Sequence, residues 1–283
     1  MKTAVITTVH GRPAHLRNLR IGLGRNTRLC DLHVVVAIDD PDVSNVIGEA
    51  DVPTVLVDCS AGDPALPVSR ARNLGAATAL KEGSGLLVFL DVDCIPGREL
   101  VSCYYEAAQQ PEHAEALLCG PVTYLPPAGP DGYPMDRLHE LASPHPARPA
   151  PPGHRIVAGA DYRLFWSLSF AVTSPTWCRI GGFSEDYRGY GGEDTDFAQR
   201  AAAQDVFLKW VGGADAFHQY HPVSDPPVEH LDDILRNAAV FEQKWGWWPM
   251  EGWLQAFESL GLIGRDPTGK PVRLSVDRRV DAS

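Results

Sequence analysis

The chain has 283 residues, 44% of them hydrophobic, and a formal net charge of −11. That is enough apolar material for one large α/β domain or two small ones. No basic run or Lys/Arg face offers the footprint a nucleic acid needs, so nucleic acid is not expected as a partner. An acidic chain can still hold a nucleoside diphosphate where a divalent cation screens the phosphates.

The chain opens with MKTAVITTVHGRP, a short apolar strand that soon meets Gly and Pro, unlike a secretory signal. No stretch reaches the ~18 consecutive apolar residues of a membrane helix. Six cysteines (Cys30, Cys59, Cys94, Cys103, Cys119, Cys178) are scattered without a CxxC pair. They read as reduced thiols, and a cytoplasmic location is expected.

Strands are expected at 4–8, 33–38, 54–57, 85–90 and 116–119. Helical spacing covers Pro13–Gly24 and 69–81, with Ser69 as the N-cap of the second. Strands alternating with helices predict a mostly parallel sheet covered on both faces. Ligands of such sheets gather at the C-terminal strand ends, so residues 8–12, Asp39, Asp40 and 91–93 should share a rim. Residues 126–153 are dense in Pro, Gly, Ala and His without a period. They read as a mobile loop or a connector, with room for a short helix at 135–141. A strand at 165–173, a helix around 197–203 and strands at 206–211 and 215–220 follow. Residues 228–262 are helical and tryptophan-rich, and those after Gly264 are polar and expected to be loosely held.

Three constellations could carry chemistry. In LLVFLDVDC, Asp91 and Asp93 follow an apolar strand at i, i+2 spacing, which puts both carboxylates on one side of an extended backbone. Hard oxygen ligands beside a phosphate suit Mg2+ or Mn2+. In IGGFSEDYRGYGGEDTDF, glycine pairs flank Tyr190, and Glu193, Asp194 and Asp196 crowd a helix N-terminus. One acid there is explained by capping, and a further one could serve as general base. In FHQYHP, His218 and His221 could bind a transition cation, and spacing leaves open which of them does. In PVSRARNLG, Arg70 and Arg72 enter a helix near the same rim and could meet phosphate or a base.

The succession TTVHGR, IDD, SRARNLG, LDVDC and GYGGEDTDF resembles the family 2 type glycosyltransferases of the GT-A fold. The block WSLSFAVTSPTWCRIGGFSEDYRGYGGEDTDF resembles the catalytic block of β-1,4-galactosyltransferases and polypeptide N-acetylgalactosaminyltransferases. The likeness spans roughly residues 1–222. It implies a single α/β, GT-A (Rossmann-like) domain with a mostly parallel central sheet and a helical C-terminal extension. On that reading 1–125 is the nucleotide-sugar-binding half and 126–155 a Pro/Gly-rich mobile loop. Residues 156–222 form the acceptor and catalytic half, 223–264 the tryptophan-rich extension, and 265–283 a flexible tail.

The resemblance also implies roles. Thr8, Val9, Arg12, Asp39 and Arg70 match segments that hold the nucleoside, with Arg72 beside them. Asp91, Val92 and Asp93 form the DxD, Asp93 being the more direct metal ligand. Tyr190, Gly191 and Gly192 line the donor site. Asp194 matches the catalytic base and Glu193 its neighbour at the acceptor. His221 matches a metal ligand, while His218 stands where a methionine is common. Tyr190 replaces a usual tryptophan, so sugar preference does not carry over. Trp166, Trp247, Trp248 and Trp253 are candidate acceptor walls. The expected reaction is Mn2+- or Mg2+-dependent inverting transfer from a UDP-sugar to a carbohydrate or small-molecule hydroxyl. A nucleotidyltransferase and a non-catalytic nucleotide-sugar-binding protein are the alternatives.

Overall fold

The structure is a computed structural model that describes residues 1–48, 52–62 and 65–274. In chain order the strands are β1 Thr3–Val9, β2 Leu32–Ile38, β3 Thr54–Cys59, β4 Leu86–Leu90, β5 Cys94–Pro96, β6 Leu117–Cys119 and β7 Val122–Tyr124, then β8 Ser143–Pro144, β9 Ile156–Gly159, β10 Ser169–Thr173, β11 Leu208–Val211, β12 Ala216–His218, β13 Ile263–Arg265 and β14 Pro271–Arg273. The helices are α1 Pro13–Gly24, α2 Val43–Ile47, α3 Val68–Lys81, α4 Leu100–Gln109, α5 Leu138–Leu141, α6 Ser174–Ile180, α7 Glu193–Ala203, α8 Leu231–Trp245 and α9 Glu251–Ser259.

One eight-stranded sheet runs in the order β3-β2-β1-β4-β10-β6-β11-β9. Strands β3, β2, β1 and β4 are mutually parallel, while β10 and β9 run against their neighbours. The two expected halves therefore interleave in one sheet. β2 and β4 are buried at every position, as continuous apolar runs covered on both faces must be. Ile6, Val34, Val36, Leu87 and Phe89 pack on one face with α3, and Val5, Val88 and Leu90 pack on the other with α1 and α4. Beneath the rim Phe89, Phe165, Phe170, Trp177, Phe183 and Phe197 form an aromatic cluster in which Phe183 and Phe197 stack at 4.4 Å. Such pairs contribute ~0.5–1.5 kcal/mol beyond burial.

Four expectations are corrected. Ser69 lies inside α3, buried, and Pro67 occupies the N-cap, so proline's fixed φ starts the helix in place of a side-chain cap. The expected strand 165–173 begins only at Ser169, because Tyr162–Leu164 form a 3-10 turn that drops Phe165 into the aromatic cluster. The helical run 228–262 breaks at Gly246, whose φ of 76° closes α8. After Gly264, β13 and β14 pair as a hairpin, and Arg273 bonds Asp232 of α8 at 2.6 Å. The rest of that tail, 275–283, lies outside the described residues.

The 126–155 segment is packed onto the body of the molecule. β8 pairs with β7, Leu138 of α5 is buried, and the Arg148 guanidinium lies 5.1 and 5.0 Å over the rings of Trp166 and Trp210. All six cysteines are free, and only Cys178 is exposed. Among the described residues no helix is long and apolar enough to cross a membrane.

Candidate active site

A second, four-stranded sheet, β5-β12-β7-β8, builds the side of the candidate site that carries Asp93 and His218. β12 pairs with β5 so that His218 stands opposite Cys94, and with β7 so that it stands opposite Tyr124. This register brings FHQYH onto the end of LDVDC. Gln219 fixes it further: its backbone N–H donates to the Asp93 carbonyl at 2.7 Å, and its side chain bonds Asn18 and the His15 carbonyl.

The two acids of the DVD motif do not share one face as their spacing predicts. The chain turns between β4 and β5, with the Cys94 N–H donating to the Asp91 carbonyl, and the carboxylates part. Asp91 pairs with Arg72 at 3.0 Å, whereas Asp93 faces His218 at 3.7 Å, His221 at 3.4 Å and Arg12 at 2.5 Å. The ligand atoms of Asp93, His218 and His221 all lie within 4.8 Å of one another. One carboxylate oxygen and two imidazoles suit Mn2+ or a similar borderline cation. Burial raises the Asp93 carboxyl, but His221, His218 and Arg12 outweigh it and hold the group at about 2. Burial lowers His218 against the opposing pull of Asp93, and the net direction favours the neutral imidazole that a cation requires.

The opposite wall is the first turn of α7. Gly191 and Gly192 have φ of 89° and 92°, a conformation other residues rarely adopt, and Gly192 is the helix N-cap. Glu193 turns to Arg72 at 3.2 Å. Asp194 accepts from the Thr195 N–H at 2.6 Å, and its carboxyl is pushed up to about 7 by burial and the adjacent Glu193, against the pull of that N–H and of Arg72. A carboxyl poised there is suited to general-base work near neutral pH.

Arg72 has a different part from the phosphate contact foreseen for it. Its side chain is only 6% exposed, and its guanidinium is shared between Asp91 and Glu193, which hold it firmly cationic. It thus joins the DVD turn to the first turn of α7. Arg70 stands exposed at the start of α3, close enough to Cys59 to bear on its thiol, and so remains at the outer rim.

On the nucleoside rim Asp39 follows β2 with φ 42° and accepts from the Ala61 N–H at 3.0 Å. Asp40 accepts from the Gly11 N–H at 2.7 Å. Thr8 and Val9 end β1 beside them, but the Val9 and Val92 side chains are buried with Leu16 and Val35. Those two positions can meet a ligand only through their backbone.

The aromatic residues fall into separate contact groups. Tyr190 stacks on His230 at 4.3 Å and tilts against Trp253 at 5.6 Å. Trp247 packs edge-on against Phe241 and Trp248 against the Leu254–Phe257 cluster, and both stay partly exposed. Trp166 meets His145 at 4.6 Å, and His145 in turn faces Tyr124, the neighbour of His218.

Two residues of the site were not foreseen in their roles. Asn237 of α8, fully buried, donates to the carbonyls of Arg188, Tyr190 and Gly191 and so clamps the glycine loop. Asp196, also fully buried, accepts from Trp245 at 2.9 Å, Lys244 at 2.6 Å and Tyr187 at 3.3 Å, tying α7 to the end of α8. An Asn inside an apolar helix stripe was the available signal for the first. The second needs contacts that only the fold supplies.

Residues 158–222 match the family described as the N-terminal domain of galactosyltransferase. Validoxylamine A glucosyltransferase of Streptomyces hygroscopicus subsp. jinggangensis is 30% identical, with 49% of this chain matched to 36% of that protein. The chain thus spans about a third of that relative's length. Among solved structures, GalNAc-T7 with UDP, GalNAc and Mn2+ superposes with a TM-score of 0.59 at 12% identity, over 92% of this chain and 57% of that one. S. aureus TarS 1-349 gives 0.53 at 13% identity, over 84% of this chain and 65% of that one. By fold the chain is similar to these GT-A type structures, and its residues 158–222 are similar to a galactosyltransferase domain.

Proposed function

We propose that the chain moves a sugar from a UDP-sugar to a hydroxyl of a carbohydrate or small-molecule acceptor, with inversion, using Asp194 as base and a divalent cation held by Asp93, His218 and His221. The observation that carries this reading is the pairing of that three-residue cluster with a near-neutral carboxyl on Asp194, the two bridged by Arg72 between Asp91 and Glu193. Two of the similar proteins support it: one is a glucosyltransferase, and one structure holds UDP and Mn2+.

Bound there, Mn2+ would screen the diphosphate and stabilise the charge of its departure. The remaining work belongs to the chain. Residues 8–12, Asp39 and Arg70 bound the end where a nucleoside fits, and Arg12, freed from Asp93, is the cation nearest to a phosphate. Tyr190 and Trp253 offer apolar faces to an acceptor. Asp194 takes the proton from the attacking hydroxyl, and Glu193, held by Arg72, keeps the first turn of α7 in place.

The test is a panel of UDP- and GDP-sugars with simple alcohols and sugars as acceptors, read by nucleoside diphosphate release with and without Mn2+. Release is expected with Mn2+ and a UDP-sugar, and it is expected to fall to background in Asp194→Asn while donor binding persists. Release at the parent rate in Asp194→Asn would overturn the base assignment.

A further inference from the structure

A second group of metal-binding side chains lies outside the site above. Glu99, Cys103 and Glu106 are spaced at i, i+4 and i+7 from the N-cap of α4, which puts them on one helix face. His154, from the end of the Pro-rich segment, reaches over them. Its Nδ1 stands 3.4 Å from the Cys103 Sγ and 3.9 Å from Glu106, and its Nε2 stands 3.6 Å from Glu99. The ligand atoms of Glu99, Cys103 and His154 all lie within 4.8 Å of one another. A tetrahedral Zn2+ with ordinary Zn–S and Zn–N bonds separates sulfur from nitrogen by ~3.6 Å.

The backbone holds this pair in place. The Gly212 N–H donates to the Arg155 carbonyl at 2.9 Å. A Cβ on Gly212 would come within 2.2 Å of the Gly153 carbonyl, and one on Gly213 within 2.9 Å of the Cys103 Sγ. Glycine at both positions lets residues 151–155 lie directly on the end of β11, so His154 meets Cys103 by construction. The local charge is one-sided as well. Among the described residues His154 is the only basic side chain within 4.0 Å of the Glu99 and Glu106 carboxylates. A cation at this point would take the Cys103 thiolate as a ligand.

We propose that Cys103, His154 and Glu99, with Glu106 as fourth donor, bind a thiophilic divalent cation of the Zn2+ class and so staple the end of the 126–155 segment to α4. The soft sulfur separates this site from the harder Asp93, His218 and His221 set. Co2+ added to the metal-free full chain tests it, because thiolate ligation gives a sulfur-to-cobalt charge-transfer band in the near ultraviolet. The band is expected in the parent and in Asp93→Ala, and absent in Cys103→Ser and His154→Ala. Zinc retained after dialysis should fall by one equivalent in the same two variants. His154→Ala alters an exposed side chain, so it decides the matter even if Cys103→Ser folds poorly. No band in the parent, a band that survives either variant, or unchanged zinc content would overturn the site.

Discussion

Replacing Asp194 by Asn separates catalysis from stability, because the two should move in opposite directions. The Asp194 carboxyl titrates at about 7 in the folded chain against 3.8 as an ordinary aspartate, chiefly through burial and then through Glu193. Between those values the folded state binds a proton that the unfolded chain has lost. Folding therefore weakens as pH rises from about 4 to about 7 and is level above. The rise corresponds to at most about 4 kcal/mol, and solvent at a partly exposed carboxylate reduces the expectation to roughly 2 kcal/mol. Asn removes that cost and keeps an acceptor for the Thr195 N–H. Thermal unfolding of metal-free protein should show the variant exceeding the parent by a margin that is smaller at pH 5 than at pH 8. Transfer should fall by ~10²–10⁴-fold, and the parent's kcat/KM should rise with pH through a limb near 7. A variant less stable than the parent at pH 8, or one that keeps its rate, would refute the reasoning.

Further predictions concern the groups that hold the site together. Arg72→Ala leaves Asp91 and Glu193 without their shared cation and should cost about 3–5 kcal/mol in denaturant unfolding, Arg72→Lys less. Asn237→Ala unpairs three loop carbonyls. It should lower stability by about 1–3 kcal/mol and raise KM for the acceptor more than it changes kcat. Phe197→Ala, in the aromatic cluster beneath α7, should cost about 3–5 kcal/mol by calorimetry.

Local signals were legible in the sequence where local physics decides. Pro13 at the first turn and the spacing of Leu16, Leu19 and Leu23 give α1 its observed bounds. β2 and β4 announce themselves as unbroken apolar runs. The DVD, GGED and HQYH segments also meet at one site, because each follows a strand or opens a helix at the same rim. What escaped depends on distance along the chain. Arg72 meets Glu193 across 121 positions, so nothing near Arg72 tells that its charge is already taken. Asp91 and Asp93 part because the chain turns after Leu90, and i, i+2 spacing assumes that it stays extended. Trp247 and Trp253 look alike in sequence, and only the break at Gly246 decides which of them reaches Tyr190.

The central claim is that Asp93, His218 and His221 form a cation site on which nucleotide binding depends. Calorimetric titration of UDP into the chain, with and without Mn2+, measures this directly for the parent and for Asp93→Ala. The account predicts Mn2+-dependent binding in the parent and its loss in the variant. Equal UDP affinity in both proteins, or affinity indifferent to Mn2+, would contradict it.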